Sequence, residues 1–359
     1  MGLSRARPRW QARIAALVGG AALLFPAAAD AESPAGFDFE QRLGSVERSA
    51  RSAEHGFRSE VLEAPARFDL AGLRGEVRET ELRARVEGGA WTDWAETANG
   101  DPVWFGGMDE LQVRTHGWEP RGKVHYVSVS DATTQPAARA GGGGKPNVIS
   151  RGQWGANKER GGCEPREGAE YGKVKAASIH HTVSAVRYSE SEAKSMILGI
   201  CRFHRNSNGW NDIGYNALVD RFGNIYAGRD GGLSRPVIGA QAQGFNSQTT
   251  GVAVLGTHTD KPIRKATMRG LTKWLAWKLP EHGSDATGKV RMKSAGGETA
   301  RYPAGKRIRT LRIIGHRVTN FTECPGNALA DQLSKLRRKV IDKIAGRGGG
   351  GDGGGGGAG

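Results

Sequence analysis

The chain has 359 residues, with 52 Lys+Arg against 37 Asp+Glu and a formal net charge of +15. A hydrophobic share of 37% supplies cores for about two domains and excludes a wholly disordered chain. The 55 glycines follow no Gly-X-Y period, and no run of about 20 apolar residues occurs after the first thirty positions, so collagen and multi-span membrane proteins are excluded.

Arg5, Arg7, Arg9 and Arg13 precede an apolar run from Ile14 to Ala29, and Ala29-Asp30-Ala31 is a small-x-small cleavage site. Residues 1–31 therefore read as a signal peptide, too short and too interrupted by Pro26 to anchor the chain in a membrane. Its removal takes four Arg and Asp30 and leaves a charge of +12. Export turns the expected partner from nucleic acid to an anionic extracellular polymer, and no nucleic-acid-binding signature opposes that. Residues 32–60 read as a polar leader. Over 61–130, Leu82–Val86 and Leu111–Arg114 alternate with period two, and Gly88-Gly89, Asn99–Pro102 and Gly106-Gly107 punctuate as turns. This predicts a small all-β sandwich. Trp91, Trp94, Trp104 and Trp118 would fill its core and edges or, if exposed, stack on sugar rings. Residues 131–147 read as a flexible linker.

The second domain, 148–345, reads as α/β. Strands are expected at Ala176–His180, Asn216–Asp220, Ile225–Ala227, Gly251–Leu255 and Leu311–Ile314, and helices at Ser189–Arg205, Arg264–Lys278 and Leu329–Ile344. The mixture predicts a mixed β-sheet flanked by helices. Residues 346–359 are a Gly-rich tail that cannot form a core.

Three cysteines, Cys163, Cys201 and Cys324, are an odd number for an exported chain. Two could pair, leaving a free thiol or a metal ligand. His180-His181 closes the first strand of the second domain and His316 follows the last, with Cys324 eight residues on in Thr322-Glu323-Cys324-Pro325-Gly326. Two His and one Cys suit Zn²⁺ and leave a fourth position for water, as in a catalytic site. The same residues would otherwise be core histidines and a buried thiol.

Ser150–Ala156, Ile179–Thr182, Trp210–Asn216, Asp220–Tyr226, Gly244–Ser247 and Gly315-His316-Arg317 through Cys324-Pro325-Gly326 form six ordered blocks. Over about residues 147–330 they resemble the zinc-dependent N-acetylmuramoyl-L-alanine amidases of type 2, which include the peptidoglycan recognition proteins. The resemblance implies His180, His316 and Cys324 as zinc ligands. Neighbours on a strand point to opposite faces, so His181 would face away from the metal. It implies Tyr215 and Thr322 as catalytic positions and Gln241 near the substrate, at a place often held by His. It frees Cys163 and Cys201 to form a disulfide. The implied protein is a monomeric secreted hydrolase of the cell wall, cutting the bond from N-acetylmuramic acid to L-alanine with a zinc-activated water. Peptidoglycan is its substrate and anionic wall polymers are further partners, with no nucleic acid and no stable membrane insertion. The alternative is a recognition module that binds peptidoglycan with little or no hydrolysis.

Overall fold

The computed structural model describes residues 36–48, 56–76, 80–97, 101–129, 144–157 and 161–348. The expected signal peptide, residues 131–143 of the expected linker and the tail beyond 348 lie outside them. Among the described residues no helix is long and apolar enough to cross a membrane.

The N-terminal part is an antiparallel sheet of β1 (Asp38–Arg42), β2 (Val46–Arg48), β3 (Gly56–Ser59), β4 (Leu62–Glu76), β5 (Thr80–Arg85), β6 (Ala95–Thr97), β7 (Val103–His116) and β8 (Arg121–Val127). The spatial order is β1-β8-β4-β7-β3-β2, with β5 and β6 added beside β7. Register shifts in β4 around Phe68 let the long strands bend around a core of Phe68, Leu73, Leu82, Leu111, Val113 and Tyr126. The stretch 32–60, read from sequence as a polar leader, thus carries three strands. Glu40 pairs across the sheet with Lys123 at 2.8 Å, while Phe39 turns inward and stacks on Tyr126 at 4.8 Å. Trp91 and Trp94 are partly buried and stack with guanidinium groups. Arg83 lies over both rings at 4.6 and 4.5 Å, and Arg85 and Arg114 cover Trp91 and Trp94 at 4.4 Å each.

The second part is built on five strands. These are β9 (Ala176–His181), β10 (Ala217–Val219), β11 (Ile225–Ala227), β12 (Thr249–Val254) and, after β13 (Lys289–Lys293) and β14 (Arg307–Leu311), β15 (Ile313–Gly315). Their order is β11-β10-β12-β9-β15, antiparallel only between β10 and β11, while β13 and β14 form a separate hairpin. Helices α2 (Lys265–Lys278) and α3 (Asn327–Gly348) cover one face. Met268, Leu271, Trp274, Leu333 and Leu336 pack there on Ile179, Val252 and Val254. Helix α1 (Glu190–Asn206) covers the other face with Met196, Ile197, Ile200 and Phe203 on Leu218, Tyr226 and Ala253. It starts at a capping box in which Ser189 Oγ accepts from Glu192 N–H and the Glu192 carboxylate accepts from Ser189 N–H.

Helix α1 also packs on the β part, and one apolar cluster spans the two. Leu70, Trp104, Val127 and Val129 share a core with α1. Gly199 makes this approach possible, because a Cβ there would meet Trp104 and Val129 at 3.3 Å. The seam is pinned by Arg202, whose guanidinium donates into a buried ion pair with Asp38 at 2.6 Å. Two further motif residues tie the loops down. Arg151 bridges the Asp212 carboxylate and the Gly228 and Cys163 carbonyls, and Trp154 Nε1 donates to the Ala227 carbonyl.

Candidate metal centre

The last two residues of β9 point in opposite directions. His181 faces the α2/α3 side, where its Nδ1 accepts the His258 backbone N–H at 3.1 Å. His180, beside Ala253 in the register, faces the α1 side and is 2% exposed. There it meets His316, just past β15, with ring centroids 4.4 Å apart. Cys324 Sγ lies 3.7 Å from His180 Nδ1, and the donor atoms of His180, His316 and Cys324 all fall within 4.8 Å of one another. The structure therefore brings together the three residues the sequence motifs single out.

This donor set fits zinc. A separation of 3.7 Å between Nδ1 and Sγ is what two ligands ~2.0–2.3 Å from one tetrahedral ion would span. Burial holds His180 neutral, its value lowered to about 4, and lowers His316 as well, so both imidazoles keep a lone pair for a metal. Burial also pushes the Cys324 thiol up, against the pull of the His181 N–H and the Arg317 charge. Only a cation among these donors would favour a thiolate.

A chain of hydrogen bonds sets which nitrogen of His180 is free. The Phe245 carbonyl can only accept, so Thr249 Oγ1 donates to it at 2.9 Å and in turn accepts from Gln241 Nε2 at 2.8 Å. The Gln241 amide oxygen then faces His180 Nε2 at 2.6 Å and must accept from it. The proton therefore sits on Nε2, with the lone pair of Nδ1 directed at Cys324. Gly251 makes room, since a Cβ there would strike Gln241 at 2.3 Å. Sequence reasoning placed Gln241 near substrate. It does line the cleft, but its amide is engaged with His180 and Thr249.

His180 and His316 line a cleft of about 290 Å3 that Trp210, Tyr215, Gln241, Asp101 and Glu298 also line. The Tyr215 ring is 5.3 Å from that of His180, and burial keeps its hydroxyl protonated far above the ordinary range. The buried ring of His204 lies 5.6 Å from it, and His204 Nδ1 accepts the Gly214 N–H at 3.1 Å, which fixes the backbone just before Tyr215. Thr322 is not a wall of this cleft. Its Oγ1 accepts the Cys324 N–H at 3.1 Å and shapes the ligand loop. Cys163 and Cys201 are joined as a disulfide between α1 and the loop before β9.

Asp101 escaped sequence reasoning. It belongs to the β part, one residue before the buried Pro102-Val103-Trp104 start of β7, and reaches the cleft because that strand is docked on α1. Burial raises its carboxyl to about 7, and its field reaches the Tyr215 hydroxyl and the Cys324 thiol. Its only local signal is a turn-like Asn-Gly-Asp-Pro, which carries no chemistry by itself.

A family profile described as N-acetylmuramoyl-L-alanine amidase matches residues 170–327. The chain is similar to peptidoglycan-recognition protein LB of Drosophila melanogaster, 30% identical over 189 residues that make up 52% of this chain and 67% of that protein. It is similar to peptidoglycan-recognition protein SC2 of the same organism, 27% identical over 52% of this chain and 84% of that protein. An N-acetylmuramoyl-L-alanine amidase of Sus scrofa is 29% identical over 53% of this chain and 27% of that protein. Among solved structures, a Drosophila PGRP-LB mutant in complex with tracheal cytotoxin aligns at 25% identity with a TM-score of 0.40, covering 53% of this chain and 95% of that one. The chain belongs to the family of N-acetylmuramoyl-L-alanine amidases and peptidoglycan-recognition proteins.

Proposed function

We propose that this protein is a zinc-dependent, exported amidase that hydrolyses the bond between N-acetylmuramic acid and L-alanine in peptidoglycan. The observation that carries the reading is the meeting of His180 Nδ1, His316 and Cys324 Sγ beside a cleft that His180, His316 and Tyr215 line. Zinc, when bound, supplies a water ionised near neutral pH and polarises the scissile carbonyl. His180, His316 and Cys324 would hold it, and Gln241 orients His180 from behind. Tyr215, kept protonated, donates a hydrogen bond to the oxygen of the carbonyl as charge develops on it. The nitrogen of L-alanine must leave with a proton. We assign that proton to Asp101, a carboxyl lining the cleft whose value desolvation raises to about 7, so that a protonated fraction is present near neutral pH. Trp210 offers an aromatic wall to the substrate. Mass spectrometry of digested wall tests the reading. Stem peptides with a free L-alanine amine and glycans with an intact lactyl group are expected, and glycan fragments alone would reject it.

Two outcomes follow from the supporting residues. Gln241→Ala removes the acceptor that fixes His180, and zinc affinity should fall about 10–100-fold in chelator competition, whereas Gln241→Glu, which keeps an acceptor, should retain most of it. Unchanged affinity in Gln241→Ala would show that the amide does not orient the ligand. Asp101→Asn should lower turnover by about 10², the low end for a proton donor because water reaches the cleft. Zinc content should stay the same, and Asp101→Glu should recover part of the rate. Equal rates for wild type and Asp101→Asn across pH 5–9 would remove Asp101 from the mechanism.

A further inference from the structure

A second cavity, of about 200 Å3, opens at the carboxyl ends of the parallel strands, apart from the metal cleft. The segments after β9, β10 and β12 bring Arg187, Arg221 and His258 to it, and the start of α2 adds Lys261 and Arg264. No carboxylate lines it among the described residues. The nearby Asp220 is turned inward, where it accepts from the Phe222 and Asn224 N–H groups and from the Tyr226 hydroxyl. None of the four Arg and Lys side chains has an ion-pair partner among the described residues. Four cations around one cavity without a lining counter-charge give it a positive potential that favours an arriving anion.

Two features aim donors at this space. Helix α2 has 14 residues and begins at Arg264 with no side-chain cap, so the N–H groups of its first turn lack helical partners and face negative charge favourably. Independently, the Nε–H of Arg221, a donor, is buried with no hydrogen-bond partner, while His258, only 7% exposed, is fixed in the wall by donation from its Nδ1 to the Lys261 carbonyl at 2.9 Å. An orphaned buried donor of this kind marks a missing ligand or water.

We propose that this cavity is a binding site for a phosphate-type oxyanion, gripped by Arg187, Arg221, Lys261 and Arg264 at the N-terminus of α2. Its tetrahedral, multiply accepting oxygens match guanidinium forks and helix N–H groups better than chloride does. The ion has two sources: free phosphate, or a phosphodiester of an anionic wall polymer. The site shares no residue with the metal cleft and stands whether or not the chain is a hydrolase.

The test is calorimetric titration of the full zinc-loaded chain with inorganic phosphate and, separately, with poly(glycerol phosphate), at constant ionic strength in chloride. Phosphate should bind saturably, and Arg187→Gln with Arg264→Gln, both exposed positions that leave the core intact, should weaken it about tenfold or more. Lys173→Gln with Lys293→Gln, on another basic surface, should leave it unchanged, as should activity on wall in all variants. Competition of poly(glycerol phosphate) by inorganic phosphate assigns the polymer as the source, and binding of phosphate without the polymer assigns the free ion. Phosphate binding no tighter than chloride, or binding indifferent to Arg187→Gln with Arg264→Gln, would overturn the proposal.

Discussion

Cys324→Ala is expected to lose bound zinc and turnover together, and His180→Ala and His316→Ala to behave alike. The three donors sit within 4.8 Å of one another, and no other His, Cys, Asp or Glu joins their cluster among the described residues. With one removed, two protein ligands remain, too few to hold a catalytic ion. His181→Ala is the matched control. It removes an imidazole from the adjacent residue, on the opposite face of β9 and bonded to His258 N–H rather than to the cluster. Metal analysis after gel filtration, with circular dichroism to verify folding, separates the cases. His181→Ala should keep about one zinc per chain, and full zinc in folded Cys324→Ala would refute the ligand set.

Tyr215→Phe should reduce turnover by about 10²–10³, or roughly 2.7–4 kcal/mol, the usual effect of deleting one oxyanion donor. The hydroxyl is the group at stake, because the ring would stay where His204 and the backbone of Gly214 hold it. Zinc content should not change, and the Michaelis constant should move little, since an interaction made only in the transition state leaves ground-state binding alone. The measurement is steady-state hydrolysis of a muramoyl-peptide by both proteins at equal zinc occupancy. Full turnover in Tyr215→Phe would leave the ring as a packing element and shift the oxyanion to another donor.

What could be read in the sequence was what depends on short spacing. The strand alternation that separates His180 from His181 is a property of six residues, and the apolar stripe of α1 is a property of seventeen. Long-range pairings were hidden. β1 carries Asp38, Glu40 and Arg42 among few apolar residues and looks like leader until Lys123 and Arg202 come across to meet its acids. β13 and β14 alternate Lys and Arg with single apolar residues, too weak a pattern to stand out without the partner strand. The tie between Gln241 and His180 joins residues 61 apart, and Asp101 reaches the cleft only through the docking of β7 on α1. Neither neighbourhood is encoded in local composition.

The most direct measurement is release of free amine from purified peptidoglycan by the purified protein, first as prepared, then after a zinc chelator, then after zinc is restored. The account predicts release that stops with the chelator and returns with zinc, and no release at any stage by Cys324→Ala. Binding to peptidoglycan without amine release by the zinc-loaded protein, or release indifferent to the chelator, would contradict it.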